Sequence, residues 1–187
     1  MIFSPLGFSA AGLADACRIE LERLEDDRGF FARAFCMEEF AAQGLPTHWV
    51  QANISYNRQA GTLRGLHYQS APSIEAKIVR CIRGAIFDVI VDIRADSTHF
   101  GRWIGLELTA ANRSMVYVPA GFAHGFQALE PDTELLYLHD TMFDPLRQAG
   151  LNALDPALGI SWPLGVTGLS ARDASLPNLS ALKPLRP

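Results

Sequence analysis

The sequence predicts an all-β fold: a sandwich, barrel or jelly roll. Three observations predict it. Between residues 47 and 140, short runs that alternate apolar and polar side chains follow one another at close spacing. Gly, Pro, Asn and Asp punctuate those runs where a strand must turn. Before the C-terminal tail, only residues 36–44 (CMEEFAAQG) read as a helix, ended by Gly44 and Pro46.

The elements follow in order. Residues 1–60 begin as short extended pieces, with Asp26-Asp27-Arg28-Gly29 predicting a turn before Phe30-Phe31. Gln51, Asn53, Ser55 and Asn57 alternate with Ala52, Ile54 and Tyr56, the period of a strand. After a turn at Gly61 come strands over Thr62–Gln69 and, beyond Pro72, Lys77–Ile82. A turn at Arg83-Gly84 leads to Phe87, Val89, Val91 and Ile93 alternating with Asp88, Ile90, Asp92 and Arg94. Trp103–Leu108, Met115–Val118, Gly125–Leu129 and Glu134–His139 complete the set. Residues 144–187, rich in Pro and Leu, are expected to wrap the barrel as turns and short helices. No repeat, linker or low-complexity segment divides the chain, so one domain is expected over residues 1–187.

Composition excludes several classes. With 49% hydrophobic and 19% charged residues, the chain can bury a core and is not globally disordered. A net charge of −4 without charge blocks argues against a nucleic-acid partner or a polybasic membrane anchor. No apolar stretch approaches the roughly 18 residues of a membrane helix. MIFSPLGFSAAG lacks the basic and apolar regions of a signal peptide. Cys17, Cys36 and Cys81 are odd in number and have no metal-type spacing, which fits buried thiols in a reducing cytoplasm. Of the 16 basic residues, 14 are Arg and two are Lys, so the placement of Lys77 stands out.

Three features carry chemistry. The Gln51/Asn53/Ser55/Asn57 row is either a solvated sheet face or a barrel interior lined for binding. In Thr62–Gln69, plain alternation puts Leu63, Gly65, His67 and Gln69 on one face, with Gly65 leaving room for a close approach. His67 is then either structural or catalytic. Lys77, within an otherwise apolar strand, is either an edge-strand charge that blunts aggregation or a cation placed beside an oxyanion.

Pro119-Ala120-Gly121-Phe122-Ala123-His124-Gly125 has the form P-x-G-x-x-H and resembles the second half of the cupin signature. The corresponding first half offers His67 alone, followed by Tyr68 and Gln69, which makes a poor metal site. No catalytic metal is therefore expected.

The chain further resembles the dTDP-4-dehydrorhamnose 3,5-epimerases. The resemblance runs through Asp27–Phe31, the polar row from Gln51 to Asn57, Gly61–Gln69 (GTLRGLHYQ), Ala76-Lys77 and Gly84–Arg94. It continues through Ser97–Trp103, Val118–Phe126 (VPAGFAHGF), Asp155–Pro163 and Leu169–Asp173. It implies a cupin-type jelly-roll barrel (a double-stranded β-helix) with short peripheral helices. It also implies a homodimer to which the N-terminal strands, about residues 1–45, contribute. The implied activity is epimerisation of a nucleotide-linked 4-keto-6-deoxyhexose at C3 and C5 without cofactor, supplying deoxysugar for cell-surface polysaccharide such as lipopolysaccharide.

By the same resemblance His67 is the base, Asp173 its partner, Lys77 the cation near the C4 oxygen and Tyr137 the proton donor. Arg28, Gln51, Asn53, Arg64, His124 and Arg172 fall on substrate-contact positions, with Asp88 expected to orient His124. Arg28 and Arg64 suit a diphosphate. Three positions depart from the family pattern: Arg33 and Gln148 stand where glutamates are common, and Phe143 where a tyrosine is common. These are family drift, a changed nucleotide or sugar, or a narrowing to C3 alone. The competing readings are a metal-dependent cupin and a sugar-nucleotide-binding cupin without turnover.

Overall fold

The alternating runs become strands because each has an apolar row to bury and a turn residue at its end. The computed structural model describes residues 1–6 and 16–187. Its strands are β1 (Ile2–Pro5), β2 (Cys17–Glu20), β3 (Arg23–Asp26), β4 (Gly29–Ala32), β5 (Gln51–Asn57), β6 (Leu63–Gln69) and β7 (Lys77–Arg83). They continue with β8 (Ala85–Asp92), β9 (Trp103–Thr109), β10 (Met115–Val118), β11 (Phe122–Ala128), β12 (Thr133–His139) and β13 (Gln148–Gly150). Helix α1 covers Met37–Ala42 and α2 covers Ala171–Ala174, with a 3₁₀ turn at Leu179–Ala181.

Two antiparallel sheets face each other as a jelly roll. One has the order β1-β2-β10-β7-β12-β5 and the other β13-β6-β11-β8-β9, while β3 and β4 form a separate hairpin. Between the sheets, Val79, Val116 and Leu135 of the first meet Ile86, Ile90, Leu108 and Phe126 of the second. Part of the outer face of each sheet is also covered. On the five-stranded sheet, Leu66, Val89 and Val91 pack under Leu151, Leu158 and Leu185 of the tail. On the six-stranded sheet, Ile19, Ile78 and Tyr117 pack under Phe40 and Leu45, the helix α1 and its exit. Strand β8 therefore buries both its rows and reads as nearly continuous apolar sequence. Burying a side chain such as Leu66 contributes about 2 kcal/mol.

Some expectations shift. Strand β8 spans Ala85–Asp92 rather than starting at Phe87, and ends where Asp92 takes Arg94 (2.6 Å) and Ser97 (2.6 Å) into a turn. Strand β11 starts at Phe122, three residues earlier than expected, because the turn closes at Gly121. Gly121 has a φ of +87°, and a Cβ there would lie 2.6 Å from Arg94 Cγ. Lys77 does not sit on an edge: β7 lies between β10 and β12, which removes the aggregation-blunting reading. In the N-terminal segment, β1 and β2 extend this chain's own sheet, and residues 7–15 lie outside the described residues.

The face assignment in β6 is corrected. Opposite β11, His67 pairs with His124 but Arg64 pairs with Phe126, so the register slips at a bulge between them. The extra residue flips the alternation. Leu63, Leu66 and Tyr68 pack outward under the tail, while Arg64, His67 and Gln69 line the interior. Gly65 makes the bulge possible, with a φ of +120° and room for no Cβ: one would lie 2.5 Å from Gly125 Cα. The approach that this glycine permits is that of the neighbouring strand.

Candidate active site

A cavity of about 300 Å³ opens between the two sheets. Its walls differ in origin. Strands β6 and β11 of the five-stranded sheet bring His67 and His124. Strands β5, β7 and β12 of the six-stranded sheet bring the polar row, Lys77 and Tyr137.

On the first wall each histidine is backed by a buried carboxylate. His67 Nε2 lies 2.8 Å from Asp173 Oδ1, across 106 residues of sequence. Asp173 is 5% exposed and sits in α2, whose N-cap Ser170 accepts its backbone N–H at 3.0 Å. The Gly65 N–H, in the bulge, donates to the other Asp173 oxygen at 3.4 Å. Asp173 accepts the Nε2 proton, so Nδ1 is the basic nitrogen of neutral His67. Burial lowers the His67 pKa, against the opposing pull of Asp173. The ring is a free base at neutral pH. His124 Nε2 lies 2.7 Å from Asp88 Oδ2, and both residues are buried.

On the second wall the Tyr137 hydroxyl lies 3.1 Å from Ser55 Oγ. Burial pushes this phenol well above its ordinary range, so it carries its proton at neutral pH. Lys77 is 5% exposed and its Nζ donates to Glu75 Oε1 at 2.9 Å. Glu75 Oε2 lies 2.8 Å from His139 Nδ1. The His139 ring stacks on Tyr137 at 6.2 Å and 25°.

The remaining expected residues divide. Gln51, Asn53, Arg64, Phe143 and Gln148 line the cavity with the residues above. Arg64 is fixed by Asn57 Oδ1 at 2.7 Å and the Tyr56 carbonyl at 3.1 Å. Gln51 Oε1 accepts the Phe143 N–H at 3.1 Å, tying the rim to the polar row. Arg172 does not line the cavity; it stands beside Asp173, and its charge further lowers the His67 pKa. Arg28 and Arg33 lie outside the cavity of this chain. Arg28 occupies the tip of the β3–β4 hairpin, paired with Asp26 at 2.5 Å, and Arg33 follows the hairpin, paired with Glu39 at 2.9 Å.

Three site residues are not expected from the sequence: Ser55 as a partner of Tyr137, Glu75 and His139. His139 was within reach, because it follows Tyr137 by two residues on the same strand face.

A base on one sheet and a protonated phenol with a cation on the other can remove a proton beside a carbonyl, hold the oxyanion and return a proton from the opposite side. Among the described residues, no group of three or more His, Cys, Asp or Glu side chains is placed to hold a metal ion.

Comparison with known proteins agrees with this chemistry. The family described as dTDP-4-dehydrorhamnose 3,5-epimerase matches residues 10–181. The chain is 40% identical to a dTDP-4-dehydrorhamnose 3,5-epimerase of Sinorhizobium fredii, over 94% of this chain and 90% of that one. It is also 40% identical to a dTDP-4-dehydrorhamnose 3-epimerase of Streptomyces niveus, over 87% and 78% respectively. Among solved structures, a dTDP-6-deoxy-D-glucose-3,5-epimerase from Legionella pneumophila in complex with dTDP-4-keto-L-rhamnose is similar, with a TM-score of 0.89 and 34% identity. That match covers 100% of this chain and 98% of the other.

Proposed function

The chain belongs to the dTDP-4-dehydrorhamnose 3,5-epimerase family, and from that premise we propose which of its residues carry the reaction. The protein is an epimerase of a nucleotide-linked 4-keto-6-deoxyhexose in deoxysugar biosynthesis. His67, oriented by Asp173, removes the proton beside the C4 ketone. Lys77 stabilises the enolate oxygen. Tyr137 delivers a proton to the opposite face, which inverts the centre. Arg64 holds the diphosphate, and Gln51, Asn53, His124, Phe143 and Gln148 contact the rest of the substrate.

One observation carries this reading: the His67–Asp173 pair at 2.8 Å stands on one wall of the cavity while Lys77 and Tyr137 stand on the other. Incubation with dTDP-4-keto-6-deoxyglucose in heavy water tests it. Deuterium enters C3 and C5 of the product; no incorporation at either carbon overturns the reading. A narrower reading, epimerisation at C3 alone, is favoured by Phe143, which puts a ring without a hydroxyl at the rim. A C3-only signal establishes it.

Arg28 and Arg33 enter this scheme through a second copy of the chain. The hairpin that carries Arg28 exposes Leu24 and Phe31, each 72% accessible, and edge strand β5 exposes Ile54 and Tyr56. These apolar surfaces suit a homodimer in which the hairpin reaches the partner's cavity. A monomeric mass in solution would refute that assembly. The three cysteines are free and no helix among the described residues is long and apolar enough to cross a membrane, in keeping with a cytoplasmic enzyme.

A further inference from the structure

The acid/base scheme uses Lys77 but gives no role to the buried carboxylate that Lys77 is paired with. Glu75 lies in the segment between β6 and β7, and its carboxylate accepts hydrogen bonds from three side chains. Lys77 Nζ donates to Oε1 at 2.9 Å, while His139 Nδ1 at 2.8 Å and Gln69 Nε2 at 3.3 Å share Oε2. The Glu75 and Lys77 side chains are 9% and 7% accessible. A lysine buried to that degree keeps its charge and position only with a counterion. Burial works against the Glu75 charge, but the His139 hydrogen bond and the Lys77 ammonium hold its pKa at about 2. It is an anion at any working pH.

The three donors come from three parts of the site. Lys77 is on β7 and faces the enolate in the proposed reaction. His139 is on β12 and lies in an offset stack with the ring of Tyr137. Gln69 is on β6, two residues after His67, and its Oε1 accepts the Asp144 N–H at 2.7 Å, beside Phe143 of the rim. One carboxylate thus fixes the cation, the ring that backs the proton donor and the loop that borders the sugar.

We propose that Glu75 is a positioning residue of the reaction, holding the Lys77 ammonium and the His139–Tyr137 stack in register on the proton-donating wall. The inference rests on the epimerase reading and deepens it. Glu75 borders the cavity but spends both carboxylate oxygens on Lys77, His139 and Gln69, so its loss lowers turnover more than affinity. His139 acts through the same contact, so the two side chains work as one unit.

The test uses the full chain with dTDP-4-keto-6-deoxyglucose and reads kcat, KM and deuterium wash-in. Glu75→Ala is expected to lower kcat by about tenfold or more while KM moves less than about threefold. Adding His139→Ala to Glu75→Ala costs less than the product of the two single losses, because both remove one unit. Formate, small enough to enter the vacated space, restores kcat of Glu75→Ala in proportion to its concentration, and chloride at equal ionic strength does not. Glu75→Gln keeps the side-chain volume and guards against misfolding of the alanine variant; it loses kcat without formate rescue, because no space is vacated. Wild-type kcat in both variants, a rise in KM alone, or an alanine variant indifferent to formate overturns the proposal. A wild-type chain without wash-in overturns the epimerase reading itself, which separates the two failures.

Discussion

The two walls of the cavity solve opposite electrostatic problems. On the β6–β11 wall each histidine has its own buried carboxylate, Asp173 for His67 and Asp88 for His124. On the β7–β12 wall a single carboxylate, Glu75, serves a lysine and a histidine, and takes a third donor, Gln69, from β6. A base needs a fixed tautomer and one neighbour to steady the charge it gains, so one partner per ring suffices. A wall that gives a proton and meets an enolate needs positive charge held in place and a neutral acid beside it. There one anion shared among several donors keeps the cation charged without cancelling every donor.

The sharpest way to break this comparison is to disable one wall at a time. His67→Asn removes the base, and turnover is expected to fall by about 10³- to 10⁴-fold, with deuterium wash-in lost equally. Tyr137→Phe removes only the donor. Its turnover also falls, but His67 still takes and returns a proton on its own face, so recovered substrate gains deuterium without inversion. Equal loss of wash-in in both variants would show that the walls do not divide the work. On the second wall, Lys77→Ala is expected to lower kcat by about 10²-fold or more with KM little changed, since the lost charge acts on the enolate. Steady-state kinetics on the same substrate reads that split.

The base wall also has a pH signature. Burial lowers the His67 pKa, so the acid limb of kcat/KM falls below the ordinary histidine value of about 6.5. Asp173 pulls in the raising direction. Asp173→Asn therefore moves that limb further down in pH, and it lowers kcat by about tenfold to 10²-fold through loss of the tautomer. A limb that moves up would mean that Asp173 acts by some means other than its charge. Arg64→Ala is milder, raising KM by about tenfold as a diphosphate contact is lost.

The walls were unequally legible in the sequence. Strand period alone placed Gln51, Asn53 and Ser55 on one face, and the same rule reaches from Tyr137 to His139. Alternation failed in β6, where the bulge at Gly65 turns Arg64 to the same side as His67. A single glycine in a strand does not announce which way the register will slip. Glu75 was invisible for another reason: it sits in an irregular segment, where no period ties a side chain to a face. Asp173 and His67 are 106 residues apart, and only the docking of the tail onto β6 joins them, so that pair came from family resemblance. Arg28 and Arg33 matched substrate positions in sequence yet lie off this chain's cavity, because Arg28 sits at the tip of a projecting hairpin and Arg33 just beyond it.

The smallest expected effect sits at the rim, where the two walls meet. Phe143 lines the cavity, its N–H bound by Gln51 of the polar row and the next N–H bound by Gln69 of the base strand. The backbone there is held from both sides, while the ring itself is half exposed, so an added hydroxyl would stand at the cavity mouth. Phe143→Tyr keeps the ring and adds a second neutral acid near the sugar. Proton delivery from Tyr137 is unchanged, so wash-in at C3 should stay within about twofold of wild type. Wash-in at C5 should rise by about threefold relative to C3 if a second donor at the rim helps that centre. Proton NMR of the product in heavy water reads both carbons in one sample. An unchanged C5-to-C3 ratio would place the choice of centre in the two walls themselves and leave the rim with a binding role alone.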